Sequence, residues 1–212
     1  MSLRWRILLE SVLLFALSSP VSSATPAEQE FGRVMHLKPD AAHGRELFDT
    51  CAACHGSTGA GVSDGSVPAI AGQHFSVIAR ALIAYRADDR QDPRMRHFTN
   101  QHHLSGDQDT ADVAAYVSRL LPALDVQHGD GLHLAQGNDI YARRCAACHG
   151  AKAQGKGDLG YPRLAGQHYD YLVYQMSSDR WQQIVNEHTR VAATLGHSDL
   201  LSVCDYLSRL RP

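Results

Sequence analysis

No segment of this chain alternates apolar and polar residues long enough to make a strand, so a β-rich fold and a strand–helix–strand fold are both excluded. The glycine-rich stretches lack the G-x-x-x-x-G-K-[ST] pattern, which removes phosphate cradling. No basic cluster is interleaved with aromatics, so nucleic acid is not expected as a partner. Long apolar runs are also missing. The run Ile7 to Leu17 is short for crossing a bilayer and contains Glu10. What remains is the composition of an ordinary globular protein, 44% hydrophobic and 20% charged. At 212 residues the chain has room for one large domain or two small ones.

The N-terminus reads as an export signal over residues 1–24. Arg4 and Arg6 form the positive end, Ile7 to Leu17 the apolar middle, and Ser22-Ser23-Ala24 a small-residue cleavage site before Thr25. An uncleaved N-terminal anchor is the alternative. Residues 25–40 are polar, carry Pro26 and Pro39, and read as a loose or partly ordered lead-in.

The organising stretch is Cys51-Ala52-Ala53-Cys54-His55-Gly56, repeated letter for letter at Cys145-Ala146-Ala147-Cys148-His149-Gly150. C-x-x-C-H is the attachment signature of a c-type haem. Cys51 and Cys54, like Cys145 and Cys148, stand about one helical turn apart and can form thioethers to the two vinyl groups of one porphyrin. His55 and His149 then turn an imidazole to the iron as proximal ligands. Zinc is a poor alternative, because four zinc cysteines converge on one metal, whereas these pairs are 94 residues apart. Two covalently bound haem c groups are therefore expected. Each supplies an apolar plate that offsets the thin core of a domain below a hundred residues.

The duplication extends downstream. Pro68-Ala69-Ile70-Ala71-Gly72-Gln73-His74-Phe75 is echoed by Pro162-Arg163-Leu164-Ala165-Gly166-Gln167-His168-Tyr169. Gly59, Gly61 and Gly65 are matched with Gly155, Gly157 and Gly160 as loop residues. A short helix from Gly44 runs into Cys51, and its counterpart from Gly137 runs into Cys145 with one extra residue. Phe75, Ile78, Leu82 and Tyr85 make an apolar helical stripe, as do Tyr169, Leu172 and Met176. Each half ends in an amphipathic helix, with Tyr116-Val117-Ser118-Arg119-Leu120 matching Tyr206-Leu207-Ser208-Arg209-Leu210. The expected fold is all-α, a tandem duplication with domain 1 over residues 41–121, a linker over 122–132 and domain 2 over 133–212. Cys204, the odd cysteine, aligns with Ala114 and reads as a small buried hydrophobe.

On these motifs the chain resembles the dihaem cytochromes of the cytochrome c4 type, built from two class I cytochrome c domains. The resemblance covers nearly all of the chain after residue 24. It implies that terminal helices cross over each haem, and that the Pro68 and Pro162 carbonyls accept the Nδ1 protons of His55 and His149. The sixth iron ligand departs from the family pattern, which places a Met before the last helix. Near that place the first half has Met95 and His97, with His102 and His103 further on; the second half has His188 and no nearby Met. Family habit favours Met95 for the first haem, and alignment of the two halves favours His97. His188 is the candidate for the second, beside an open iron.

The resemblance implies a periplasmic carrier of single electrons rather than an enzyme. Its partners would be a donor dehydrogenase or quinol-oxidising complex and an acceptor oxidase or reductase, with peripheral membrane association through them. The alternatives are a cytochrome subunit of a sulfur-compound-oxidising dehydrogenase, and a haem enzyme using an unusual sixth position at the second haem. Charge is unevenly spread: residues 25–131 hold 9 Lys and Arg against 14 Asp and Glu, and residues 132–212 hold 9 against 7. Such a dipole can orient a protein on its partners.

Overall fold

The computed structural model describes residues 24–177, 191 and 194–211. The export signal expected over residues 1–24 lies outside them except for Ala24, and so does His188. The described residues are helical, with one isolated bridge between Lys156 and Tyr161. No helix among them is long and apolar enough to cross a membrane.

The lead-in is not loose. Helix α1 spans Pro26–His36 and starts on a reciprocal cap: the Thr25 hydroxyl accepts from the Glu28 N–H at 3.2 Å, and Glu28 Oε2 accepts from the Thr25 N–H at 2.7 Å. Pro26 follows at the first helical position, where its missing N–H costs nothing. The segment looks polar because Val34 is its one fully buried residue, worth roughly 1.5–3 kcal/mol of burial. Arg33 pairs with Asp107 at 2.6 Å and Glu30 with Arg86 at 3.1 Å, while the Arg80 guanidinium lies 3.9 Å from the Phe31 ring centroid.

Domain 1 continues with α2 (Ala41–His55), α3 (Phe75–Arg86), the short α4 (Pro93–Phe98) and α5 (Asp107–Arg119). Phe48, Ile78, Ile83, Leu104, Val113 and Val117 form its core with Val34. Helices α2 and α5 cross at Gly44, where a Cβ would overlap the Asp112 carbonyl. Asp112 is itself buried, and it accepts from the Asp40 N–H at 2.7 Å, Gln108 Nε2 at 2.7 Å and His43 Nδ1 at 2.8 Å. One buried carboxylate thus joins the start of α2 to the middle of α5.

Domain 2 repeats the plan with α6 (Leu134–Arg144), α7 (Ala146–His149), a 3-10 turn at Gly157–Leu159, α8 (Tyr169–Ser177) and α9 (His197–Arg209). The crossing of α6 and α9 falls at Gly137, where a Cβ would overlap the Ser202 carbonyl. The extra residue before Cys145 has a visible cost. The continuous α2 becomes two pieces, and Cys145 sits at the break with φ −122° and ψ −35°. Cys204 is fully buried, its Sγ 3.6 Å from Met176 Sδ, and burial pushes its thiol up to about 12. Cys204 belongs to the core, as expected, and Met176 packs half-buried against it.

The pairing of the loop glycines differs from the expected match. Gly61 and Gly155 are true counterparts, since their N–H groups donate to the His55 and His149 carbonyls at 2.9 and 2.8 Å. Gly59 corresponds to Ala153, which holds the same left-handed backbone at φ 55° although it carries a Cβ. The linker is also tightly tied. The buried Asp205 carboxylate accepts from the Gly129 N–H at 3.0 Å, the Gly131 N–H at 2.7 Å and Arg209 Nε at 2.8 Å.

Gly44→Ala and Gly137→Ala should each lower the unfolding free energy by about 3 kcal/mol or more, because the clash is with backbone that cannot rotate away. Denaturant melts of the haem-loaded protein check this; an unchanged midpoint would overturn the crossing argument. A second expectation concerns pH. The hydrogen bond to Asp112 raises the His43 pKa above its ordinary 6.5. Its contribution to stability is therefore full below about 6.5 and lost as pH rises through the raised folded-state value. His43→Gln should flatten that part of the melting temperature–pH curve.

Candidate functional site

Helix α2 carries Cys51, Cys54 and His55 on its last turn, and α7 carries Cys148 and His149, with Cys145 at its N-cap. The Gly after each His is needed because the chain leaves the helix at φ 75°, ψ 155° (Gly56) and φ 83°, ψ 158° (Gly150). A side chain is excluded from that region of backbone space. The Gly56 and Gly150 N–H groups still close the last turns, on Ala52 and Ala146 at 2.9 Å each.

From there a loop of about a dozen residues turns back under the histidine. His55 Nδ1 donates to the Pro68 carbonyl at 3.1 Å, and His149 Nδ1 donates to the Pro162 carbonyl at 2.9 Å. A carbonyl only accepts, so the proton must sit on Nδ1 and the ring lone pair on Nε2. Burial lowers the pKa of both imidazoles, against the opposing effect of the carbonyl bond. Both rings are nearly inaccessible and held neutral, in the tautomer that a metal requires at Nε2.

The cysteine environments fit uncharged sulfur. Cys51 is half-buried, and burial pushes its thiol up to about 11; burial also raises Cys145. Thioethers carry no charge, so these positions suit covalent attachment better than thiolate ligation. Half-buried apolar side chains pack on the same core as Cys51 and Cys145: Ile70, Phe75, Leu82 and Leu120 in domain 1, and Leu164, Tyr169, Leu195 and Leu210 in domain 2. The donor set, tautomer and apolar lining all fit a haem attached through the two cysteines.

The two sites adjoin one interface between the domains. Gln73 Oε1 accepts from the Arg163 N–H at 2.9 Å, and its Nε2 donates to the Arg163 carbonyl at 2.9 Å. Reciprocally, Gln167 Oε1 accepts from the Ala69 N–H at 3.0 Å and Nε2 donates to the Ala69 carbonyl at 2.7 Å. His74 Nε2 bonds the Gln154 carbonyl and His168 Nε2 the Ala60 carbonyl, each at 2.8 Å. Every one of these partners is offset by 94 residues from its equivalent. Arg90 extends the contact, donating to the Tyr171 hydroxyl at 2.9 Å. Sequence reasoning assigned no role to Gln73, His74, Gln167 and His168. Their signal was identity at the repeat offset in a segment with no apolar period.

The expected distal candidates of domain 1 lie on one short helix. Met95 and His97 share α4, capped by Asp92, whose Oδ1 accepts from the Arg94 and Met95 N–H groups. Residues two apart face roughly opposite sides of a helix, by about 200°. Met95 is half-buried. His97 is exposed, packs on Phe98 and His103 with ring centroids 5.0 and 5.1 Å away, and lines a polar groove with Arg86, Asp88 and Arg96.

The chain's likenesses agree with this geometry. The family profile "Cytochrome c" matches residues 41–121 and 134–208. Cytochrome c4 of Azotobacter vinelandii is 27% identical over 196 residues, covering 82% of this chain and 91% of that protein. The crystal structure of reduced recombinant cytochrome c4 from Pseudomonas stutzeri matches with a TM-score of 0.72 at 26% identity, over 82% of this chain and 100% of the other. Thiosulfate dehydrogenase from Marichromatium purpuratum matches with a TM-score of 0.68 at 26% identity, over 79% of this chain and 39% of that one. The chain therefore belongs to the cytochrome c family, as a dihaem electron-transfer cytochrome of the c4 type with two covalently attached haem c groups.

Proposed function

We propose that this protein is a periplasmic electron carrier that takes single electrons from a dehydrogenase or quinol-oxidising complex and delivers them to an oxidase or reductase. The observation that carries the reading is the pairing of two buried, neutral, proline-braced histidines across one hydrogen-bonded interface. Each bound haem supplies a one-electron iron couple. The chain's own work is to hold the histidine rings at a fixed angle, keep their protons on Nδ1, and keep the two sites in one rigid relation. Cleavage before Thr25 would be compatible with the α1 cap, leaving an α-ammonium where the Thr25 N–H now meets Glu28 Oε2 at 2.7 Å.

In this reading Met95 is the sixth ligand in domain 1, since it is the half-buried candidate and His97 is exposed on the other side of α4. His188 is the sixth ligand in domain 2. A thioether favours Fe(II) and raises the potential, whereas a second imidazole lowers it. Electrons would then run from domain 2 to domain 1. The second reading, service as the cytochrome partner or subunit of a sulfur-compound-oxidising dehydrogenase, is favoured by the likeness to the Marichromatium purpuratum thiosulfate dehydrogenase.

Two experiments test these assignments. Redox titration with low-temperature EPR should give two separated potentials and two low-spin irons. Met95→Ala should lower the higher potential and open that iron to CO, His188→Ala should open the other, and His97→Ala should change neither. Equal potentials in the wild type would overturn the directional reading, and CO or cyanide binding to wild-type haem 2 would favour an enzyme. Separately, thiosulfate alone should leave the oxidised protein oxidised. Direct reduction by thiosulfate would remove the carrier reading.

A further inference from the structure

The two interdomain glutamines do more than hold the halves together. The Pro68–Ala69 peptide is bonded at both ends: its carbonyl accepts from His55 Nδ1 at 3.1 Å, and its N–H donates to Gln167 Oε1 at 3.0 Å. The Pro162–Arg163 peptide is bonded in the same way, to His149 Nδ1 at 2.9 Å and to Gln73 Oε1 at 2.9 Å. A single amide group therefore stands between each iron-binding histidine and a side chain of the opposite domain.

We propose that Gln167 tunes the haem of domain 1 and Gln73 the haem of domain 2, each acting across the interface through one polarised peptide. An acceptor on an amide N–H shifts electron density to the carbonyl oxygen and strengthens the bond that oxygen receives, by roughly 10–30% per bond. A stronger acceptor at Nδ1 makes the imidazole a more basic ligand. A more basic ligand favours Fe(III) and lowers the potential.

The orientation of both amides is determined by their neighbours. Gln167 Oε1 also accepts from the His168 N–H at 2.9 Å and Gln73 Oε1 from the His74 N–H at 3.0 Å, while each Nε2 faces a carbonyl. A flipped amide would set NH2 against two N–H donors. The His74 and His168 contacts hold the interface independently of the glutamines. Gln73 and Gln167 are thus positioning residues for the redox centres. The inference stands on the two haem attachments, whichever partners or distal ligands the protein uses.

The test uses the haem-loaded protein, with each haem followed by its assigned methyl resonances through a redox titration. Gln167→Met keeps the length and removes the acceptor. It should raise the potential of haem 1, move the His55 Nδ1–H resonance of the reduced protein upfield and change haem 2 much less. Gln73→Met should do the mirror image. Gln167→Glu, at a pH where the carboxyl is protonated, keeps the acceptor for the Ala69 N–H and donates its O–H to the Ala69 carbonyl, so haem 1 should stay near its wild-type potential. This rescue separates tuning from undocking, which exposes both sites and moves both potentials the same way. A shift confined to the domain that carries the substitution, an equal shift in both haems, or no shift in either with unmoved Nδ1–H resonances would each overturn the proposal. These outcomes leave the electron-carrier reading intact, because that reading fails only on the ligand and thiosulfate experiments.

Discussion

When His55 gives its Nδ1 proton to Pro68, and His149 gives its own to Pro162, the chain decides several matters in one bond. The tautomer is set, so the lone pair lies on Nε2. The ring angle is set, so the iron position follows from the helix that carries the cysteines. The loop after the motif is closed, and with it the wall of the pocket. The rest of each domain serves that closure. Glycine crossings at Gly44 and Gly137 let the terminal helices approach closely enough to back the motif helix. The left-handed turns at Gly59 and Ala153 bring the proline back beneath the ring.

The proximal half of each site was legible in the sequence because covalent chemistry permits little variation. Two thioethers and an adjacent ligand demand C-x-x-C-H, and the return loop demands its glycines. Helix α1 was hidden by its polarity, although Thr25-Pro26-x-Glu28 is a recognisable start signal. The interface was hidden for another reason. Gln73, His74, Gln167 and His168 bond to backbone of the opposite domain, and no periodicity records a partner 80 to 108 residues away. Pairing Gly59 with Gly155 failed because residue type was trusted over backbone shape, and Ala153 adopts the shape without the type.

The distal half is governed by different physics. Met95, His97 and His188 do not occupy one offset, because the segment before the last helix differs in length between the halves. That segment carries no covalent bond to the porphyrin, so its residues can change while the attachment stays constant. A duplicated carrier gains from this division. Identical anchoring keeps both centres in the same frame, while the segment before the last helix is free to differ between the halves.

The reciprocal glutamine clasp also has a meaning in the language of assemblies. The same patch of each domain meets its own equivalent, which is the geometry of a twofold homodimer drawn within one chain. Each domain contributes the equivalent Gln and His to this clasp, while contacts such as Arg90 with Tyr171 are one-sided. The linker pinned by Asp205 replaces free association with a tethered one, at an effective concentration that short linkers raise to the millimolar range or above. The pairing of the two redox centres is therefore independent of how much protein the cell makes.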